Sequence, residues 1–193
     1  DSESPLSNRT QFLNEAVALA QHGLTSLLVS TPWSDSQWYA KRDVARDFEN
    51  SVHEVRELRR ALDVLDVQPH VDRNRLALVG HDFGAMYGIL AAVSQKRVSA
   101  VALQAFTGSF SDWFLYNQKQ LSPEARQGVI DRLAPLDPLT FLGQLGPTPV
   151  LLQFAEKDLY VHSENAEALY ATIRGTKTLL RHKAGHGLNV QDP

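Results

Sequence analysis

The sequence predicts an α/β fold, with a mostly parallel sheet and helices on both of its faces. Short apolar runs alternate with longer segments of helical periodicity, which is the pattern of successive strand–helix units. The runs are apolar almost throughout, as expected for strands that are buried on both sides. The chain has 193 residues and shows no repeat or dividing linker, so we expect a single domain over residues 1–193.

Each predicted element has its own local signal. Helical spacing of apolar residues predicts a helix over 10–22, which Gly23 ends, and an apolar stripe predicts a long helix over 43–65. A mostly apolar run predicts a strand over 25–31. The other predicted elements are strands at 76–79, 98–106, 149–155 and 176–182, helices at 85–93 and 163–173, and a short cap-like insertion within 107–147.

Composition excludes several classes of function. A net charge of −3 favours neither nucleic acid nor an anionic membrane as a partner, and no run approaches the ~18 apolar residues of a membrane span. The absence of cysteine excludes disulfides, a thiol nucleophile and cysteine-based zinc sites. No metal-ligand spacing or dinucleotide fingerprint is present. We therefore expect a small-molecule substrate, no metal and no cofactor; no signal peptide follows Asp1, so we expect a cytoplasmic location, and the oligomeric state stays open.

The most informative segment is RLALVGHDFGAMYG, residues 75–88. An apolar strand leads into a tight turn with Gly80 and Gly84 around Asp82, and a helix follows. Because glycine has no Cβ, the strand and the helix can approach each other closely at this turn. Strand, sharp turn and helix together are the arrangement of a nucleophile elbow, in which the central side chain stands above the sheet.

Two further residues follow predicted strands in the order that such an elbow requires. Asp158 follows the strand at 149–155, and His186 follows the strand at 176–182. Asp82, Asp158 and His186 then succeed each other as nucleophile, acid and base, all beyond carboxyl ends of strands, where open α/β sheets bind ligands. The backbone N–H of Phe83, the residue after the nucleophile, is the predicted oxyanion donor.

The chain resembles the α/β-hydrolase superfamily, within it the dienelactone-hydrolase-like and prolyl-oligopeptidase-like branch. The segments VDRNRLALVGHDFGAMYG, PVLLQFAEKD and HKAGHG carry this resemblance, which implies an α/β-hydrolase fold and a hydrolase. The pattern GHDFG is similar to that of haloalkane dehalogenases and epoxide hydrolases, which also use aspartate. Phe83 differs from the tryptophan that commonly follows the nucleophile in those two groups, which weighs against halide binding by this residue.

An aspartate nucleophile changes the chemistry. A carboxylate is already an anion, so it attacks an sp³ carbon that bears a leaving group without help from a base. The product is an alkyl-enzyme ester, which His186, oriented by Asp158, would hydrolyse by activating water. Attack on an ester would instead give a labile anhydride. An esterase, thioesterase or lactonase of the dienelactone hydrolase type stays open as an alternative, as does a non-catalytic binding domain on this fold.

Aromatic and polar side chains near the predicted strand ends are candidates for substrate binding. The candidate substrate-binding residues are Trp33, His81, Trp113 and Tyr116. His81 is expected to pack or hydrogen-bond beside the elbow rather than to react. Phe110 and Phe114 are further candidates for an apolar lining. Tyrosines that protonate a ring oxygen would mark an epoxide hydrolase, and Tyr39, Tyr116 and Tyr160 are available.

The resemblance also implies missing parts. The superfamily's loop with the second oxyanion donor should precede residue 10, and its final helix should follow His186, yet the sequence supplies neither. We expect a fragment that lacks N-terminal strands and the C-terminal helix, and that is poorly soluble or inactive alone. A gap of ~9.6 Å, two strand spacings, is then expected between the strands at 25–31 and 75–79.

Overall fold

A computed structural model describes residues 10–35 and 37–188. They form two compact units, and the division falls between Arg73 and Asn74. The prediction of a single domain over residues 1–193 stays a prediction.

The first unit is helical. It contains α1 (Leu13–Gln21), α2 (Trp38–Lys41) and α3 (Asp47–Asp66), with short 3₁₀ turns at Pro32–Ser34 and Val44–Arg46. Gly23 has a φ of 78° directly after α1, so it ends this helix as the sequence predicts. The Asp43 side chain accepts a hydrogen bond from the Ala45 backbone N–H, 3.0 Å away, which starts the 3₁₀ turn before α3. The helices predicted over 10–22 and 43–65 are confirmed as α1 and α3.

The strand predicted over 25–31 is wrong. Residues 24–31 have no regular secondary structure. An apolar run becomes a strand only where its backbone groups pair with a neighbouring strand, and sequence alone does not supply that partner. The gap predicted beside this run stays a prediction.

The second unit carries the sheet. Its elements are β1 (Leu76–His81), α4 (Phe83–Val93), β2 (Val98–Gln104), α5 (Phe110–Phe114), α6 (Pro123–Leu133), α7 (Pro138–Leu142), β3 (Val150–Ala155), α8 (Ser163–Thr172) and β4 (Lys177–His182). The four strands pair in parallel in the order β1-β2-β3-β4. This confirms the predicted α/β architecture with a parallel sheet. No helix in the described part of the chain is long and apolar enough to cross a membrane.

Strand register brings the chain segments that follow the strands to one edge of the sheet. His81 at the end of β1 pairs with Gln104 at the end of β2, and Gln104 pairs with Gln153 in β3. His182 at the end of β4 pairs with Ala155 at the end of β3. The helix α4 packs on β1 and β2, and α8 packs on β3, which buries the apolar core under the sheet. The segments beyond the four carboxyl ends therefore lie at the same end of the sheet.

The region predicted as a cap-like insertion holds α5, α6 and α7, together with a 3₁₀ turn at Ala134–Leu136. Phe110 and Phe114 of α5 are 0% and 1% exposed, so both rings belong to the core. Whether the rest of this region acts as a cap stays a prediction.

The turn between β1 and α4 has the geometry of a nucleophile elbow. Asp82 has φ 53° and ψ −122°, a conformation that a residue with a side chain rarely adopts. Such a residue costs about 1–3 kcal/mol, and the surrounding packing has to hold it in place. A Cβ on Gly80 would collide with the backbone carbonyl of Gly84, whereas a Cβ on Gly84 would meet nothing within 4 Å. The expected close approach of strand and helix therefore depends on the missing Cβ of Gly80 and not on that of Gly84.

These two glycines make a matched pair of substitutions. Gly80→Ala should lower the free energy of unfolding by more than about 2 kcal/mol, because the new methyl group meets backbone that cannot move aside. Gly84→Ala should raise it by about 0.5–1 kcal/mol, since alanine is the better helix residue. Urea denaturation followed by circular dichroism measures both. Equal effects of the two substitutions would contradict the close approach at Gly80.

Candidate active site

Asp82 stands between β1 and the first turn of α4. Its backbone N–H donates to the Gln104 carbonyl of β2, 2.9 Å away, and its own carbonyl accepts from Ala85 and Met86 in α4. The backbone is therefore fixed on both sides while the side chain projects from the turn. Among the residues that the structure describes, the buried Asp82 Oδ1 atom has no hydrogen-bond partner. The Asp82 side chain as a whole is 24% exposed, so the carboxylate is partly open to the site.

His186 lies between two carboxylates. Its Nδ1 atom donates to Asp158 Oδ2 at 2.9 Å. Its Nε2 atom lies 3.7 Å from Asp82 Oδ2, which is an ion-pair distance and too long for a hydrogen bond. The side chain of His186 is 19% exposed, so the ring is partly shielded from water and still open to the site. An imidazole in this position can move a proton to or from a group bound next to Asp82.

Asp158 is held by its own turn. Its Oδ1 atom accepts hydrogen bonds from the backbone N–H groups of Tyr160, at 2.8 Å, and Val161, at 2.9 Å. Its Oδ2 atom is thereby aimed at His186. Burial by itself would raise the pKa of Asp158, but the hydrogen bonds from His186, Val161 and Tyr160 outweigh it and lower that pKa. Asp158 is thus a fixed anion that orients the imidazole.

The two carboxylates keep His186 charged. Burial alone would lower the pKa of His186, but the hydrogen bond to Asp158 and the charges of Asp82 and Asp158 raise it from 6.5 to about 9. That displacement corresponds to ~3 kcal/mol in favour of the imidazolium. At neutral pH the site therefore contains an imidazolium between two anions.

Two aromatic rings stand next to His186, and a third packs against both of them. The rings of Trp113 and Tyr160 lie 5.5 Å and 5.2 Å from the imidazole, centroid to centroid. Tyr116 lies 6.1 Å from Trp113 and 5.7 Å from Tyr160. The Trp113 indole N–H is buried, and no acceptor in the described residues binds it. The site thus combines a wall of aromatic rings with one buried hydrogen-bond donor, the Trp113 indole N–H.

Asp137 fixes the short helix that carries Trp113. Its Oδ1 atom accepts from the Phe110 backbone N–H at 2.9 Å and from the Ser109 hydroxyl at 3.0 Å. These bonds satisfy the start of α5 from a carboxylate that lies just before α7. Burial raises the pKa of Asp137, although these same hydrogen bonds oppose the rise. The position of Trp113 is therefore set by the framework rather than by a loose loop.

His81 and Phe83 flank Asp82 in the sequence and face different surroundings. His81 is 8% exposed, and its Nε2 atom lies 2.8 Å from the backbone carbonyl oxygen of His186. The Phe83 ring is buried against Tyr87, 5.9 Å away, so the side chain at this position offers an apolar surface only. The Phe83 backbone N–H begins α4, at the positively polarised end of that helix.

The structure groups most of the predicted site residues. Asp82, Asp158 and His186 form one cluster, with His81, Trp113 and Tyr116 around it. Trp33 belongs to the first unit, where its ring packs edge-on against Trp38, and its part in substrate binding stays a prediction. In the described residues no group of three histidine or acidic side chains is arranged to hold a metal ion. The catalytic and binding roles of the grouped residues stay predictions.

Two contacts of this cluster were not foreseen. One is the link from the His81 side chain to the His186 backbone, which joins residues 105 positions apart and leaves no local signal. The other is the Asp158 turn, for which a signal exists: an aspartate two and three residues before its backbone partners is typical of a side-chain-capped turn.

Comparison with solved structures identifies the fold. Acetyl xylan esterase 1 from Thermoanaerobacterium sp. JW/SL YS485 aligns with 90% of this chain and 64% of its own, at 15% identity and a TM-score of 0.67. An acetyl xylan esterase from Paenibacillus sp. R4 aligns with 80% of this chain and 49% of its own, at 19% identity and a TM-score of 0.60. An α/β hydrolase from Penicillium sp. sh18 aligns with 70% of this chain and 64% of its own, at 16% identity and a TM-score of 0.56.

The chain has an α/β-hydrolase-type fold. It spans less than two thirds of each of these three structures. No protein-family model matches the sequence, and no curated protein sequence is similar to it. Likeness at this level of identity establishes the fold and leaves the activity to be argued from the site.

The ion pairs of His186 give a direct prediction. Nuclear magnetic resonance titration of the histidine ring signals should give His186 a pKa of about 9. In Asp158→Asn and Asp82→Asn the pKa should fall toward 6.5, because each substitution removes one of the negative charges that stabilise the imidazolium. The His186→Gln spectrum assigns the signal. A His186 pKa that is unchanged in both variants would rule out the ion pairs.

The same ion pairs make stability depend on pH in one direction. Because the folded pKa of His186 lies above its ordinary value of 6.5, their contribution is complete below pH 6.5 and is lost as the pH rises through about 9. The difference in unfolding free energy between the wild type and His186→Gln should therefore shrink over that interval. Urea unfolding at a series of pH values measures it, and a difference that grows with pH would contradict the sign.

Proposed function

We propose that this protein is a hydrolase of small organic molecules in which the Asp82 carboxylate is the nucleophile. The observation that carries the proposal is the Asp82 side chain itself: it stands on a strained elbow, with one oxygen free of hydrogen bonds and the other 3.7 Å from His186. The substrate is a compound with an electrophilic sp³ carbon, such as an alkyl halide or an epoxide.

In the first step an Asp82 oxygen attacks the sp³ carbon. The new C–O bond makes an alkyl-enzyme ester, and the bond to the leaving atom breaks with its electron pair on that atom. No proton has to leave the nucleophile, so a charged His186 does not impede this step. The buried Trp113 N–H is suited to hold the leaving atom, because it is a donor without an acceptor of its own. For an epoxide, Tyr116 and Tyr160 are the candidate proton donors.

The second step follows from the loss of charge on Asp82. Once Asp82 is an ester, one of the anions that raise the pKa of His186 is gone, and that pKa falls. His186 then releases its proton to solvent and accepts one from a water molecule that attacks the carbonyl carbon of the Asp82 ester. The oxyanion forms next to the Phe83 backbone N–H, and Asp158 steadies the new imidazolium. Collapse breaks the bond between the carbonyl carbon and the alkoxide oxygen. The alkoxide takes the proton from His186 and leaves as the alcohol, and the Asp82 carboxyl then gives its proton to His186, which restores the carboxylate and the imidazolium.

A second candidate is an ester, thioester or lactone hydrolase of the dienelactone hydrolase type. The likeness to two acetyl xylan esterases favours it. In this route Asp82 stays a carboxylate, and neutral His186 delivers water directly to the acyl carbon. The two routes differ in their pH dependence. Direct water delivery requires loss of the His186 proton while both carboxylates are charged, so its rate rises with pH toward about 9, whereas the alkylation of Asp82 does not require that loss.

Trapping the ester tests the first candidate. His186→Gln should accumulate a covalent adduct with styrene oxide or 1-bromobutane, because alkylation continues while hydrolysis of the ester stops. Intact-protein mass spectrometry reads the adduct, and the Asp82→Asn/His186→Gln double variant is the control that should stay unmodified.

The other outcomes of this experiment are equally definite. Steady turnover of p-nitrophenyl acetate that rises with pH, without any adduct from the alkyl electrophiles, would replace the first candidate by the second. Absence of both adduct and turnover, with ligand binding that survives Asp82→Ala, would identify a non-catalytic binding domain.

Trp113→Phe tests the leaving-atom donor. The substitution keeps an aromatic ring and removes the N–H, so adduct formation in the His186→Gln background should slow by about 10²-fold, the usual effect of losing one donor to developing charge. Circular dichroism checks that the fold is retained. An unaltered rate would remove Trp113 from the reaction.

A further inference from the structure

One buried side chain of the site, that of His81, takes no part in the proposed reaction. His81 ends β1, immediately before Asp82, and is 8% exposed. Its Nε2 atom lies 2.8 Å from the backbone carbonyl oxygen of His186. A carbonyl oxygen only accepts, so Nε2 carries the hydrogen and donates it.

The contact joins a rigid element to an irregular one. His81 is fixed by its pairing with Gln104 in β2. The segment 183–188, which carries His186, contains no helix or strand and includes Leu188 at φ 56°. On its other side this segment is tied to the turn after β3, where Lys157 N–H donates to the Ala184 carbonyl at 3.1 Å. The His81 side chain thus connects the backbone of His186 to the strand that positions Asp82.

The electrostatics of the site favour a neutral donor at this place. Burial, and then the positive charge of His186, lower the pKa of His81, while the charge of Asp82 opposes them. The two imidazole rings lie 4.8 Å apart. A lysine or arginine here would repel the His186 imidazolium, and a carboxylate would offer no donor to its carbonyl.

We propose that His81 is a positioning residue that holds the His186 backbone against β1 and so sets the separation between the His186 ring and the Asp82 carboxylate. Its effect on turnover rests on the proposed function, whereas its effect on the geometry does not. Loss of the contact lets segment 183–188 move away from β1. The His186 ring then lies farther from Asp82, while Asp158 still binds it.

A pair of variants separates this role from simple packing. His81→Gln keeps a donor near the position of Nε2, and His81→Leu keeps apolar volume without a donor. The pKa of His186, measured by nuclear magnetic resonance, should fall by about one pH unit or more in His81→Leu and stay near the wild-type value in His81→Gln. If His81→Leu does not fold, His81→Met supplies the donor-free variant. Equal pKa values of His186 in the glutamine and donor-free variants would overturn the proposal.

A kinetic readout uses styrene oxide. Hydrolysis of the Asp82 ester, which needs a correctly placed His186, should slow by about 10²-fold in His81→Leu, as expected for a displacement of about 1 Å. The alkylation step should slow much less, and His81→Gln should restore hydrolysis. Slowing of both steps to the same extent would contradict the positioning role.

Failure of this proposal and failure of the proposed function are distinguishable. If the pKa pattern appears but no electrophile alkylates Asp82, His81 positions His186 and the proposed function is wrong. If Asp82 is alkylated but the glutamine and donor-free variants behave alike, the proposed function stands and the positioning role is overturned.

Discussion

The interaction on which the site depends is the imidazolium of His186 between two carboxylates. Asp158 supplies a hydrogen bond and Asp82 supplies charge at a longer distance, and the two contacts differ in kind. The 2.9 Å bond fixes the ring, whereas the 3.7 Å contact depends on the charge that Asp82 carries. In the proposed reaction, loss of the Asp82 charge lowers the pKa of His186 and so converts the imidazolium into a base. No movement of the backbone is required for this change.

The surrounding backbone stabilises residues whose conformation is strained. Asp82, Ala105 and Leu188 are the residues other than glycine with a positive φ in the described chain, and all three lie beyond strand ends. Asp82 and Ala105 follow neighbouring strands, and the backbone N–H of each donates to a carbonyl of the next strand. Strain of about 1–3 kcal/mol at such residues persists only where packing and hydrogen bonds fix them on both sides. The sheet therefore fixes the backbone at Asp82 and Ala105.

Local sequence signals predicted most helices and strands, and they failed where strand formation depends on a pairing partner. The periodicity of α3 and the apolar runs of β1 and β3 predicted the element types correctly. The expected burial of the strands on both sides is wrong for β1, in which Ala77 and Val79 are exposed. The run at 25–31 has the composition of a strand, but strand formation depends on a partner that composition does not reveal. Similarly, the order of Asp82, Asp158 and His186 along the chain predicted their cluster. The contact between His81 and the His186 carbonyl depends on tertiary geometry alone and leaves no signal in the sequence.

The most direct test of an aspartate nucleophile follows an oxygen atom from water into Asp82. Turnover in ¹⁸O water, followed by tryptic digestion in ordinary water, gives a peptide of residues 76–96 in which Asp82 is the one acidic side chain. Hydrolysis of an Asp82 ester puts ¹⁸O into that carboxylate, so mass spectrometry should find this peptide heavier after repeated turnovers. Product that carries ¹⁸O while the peptide keeps its ordinary mass would contradict the account.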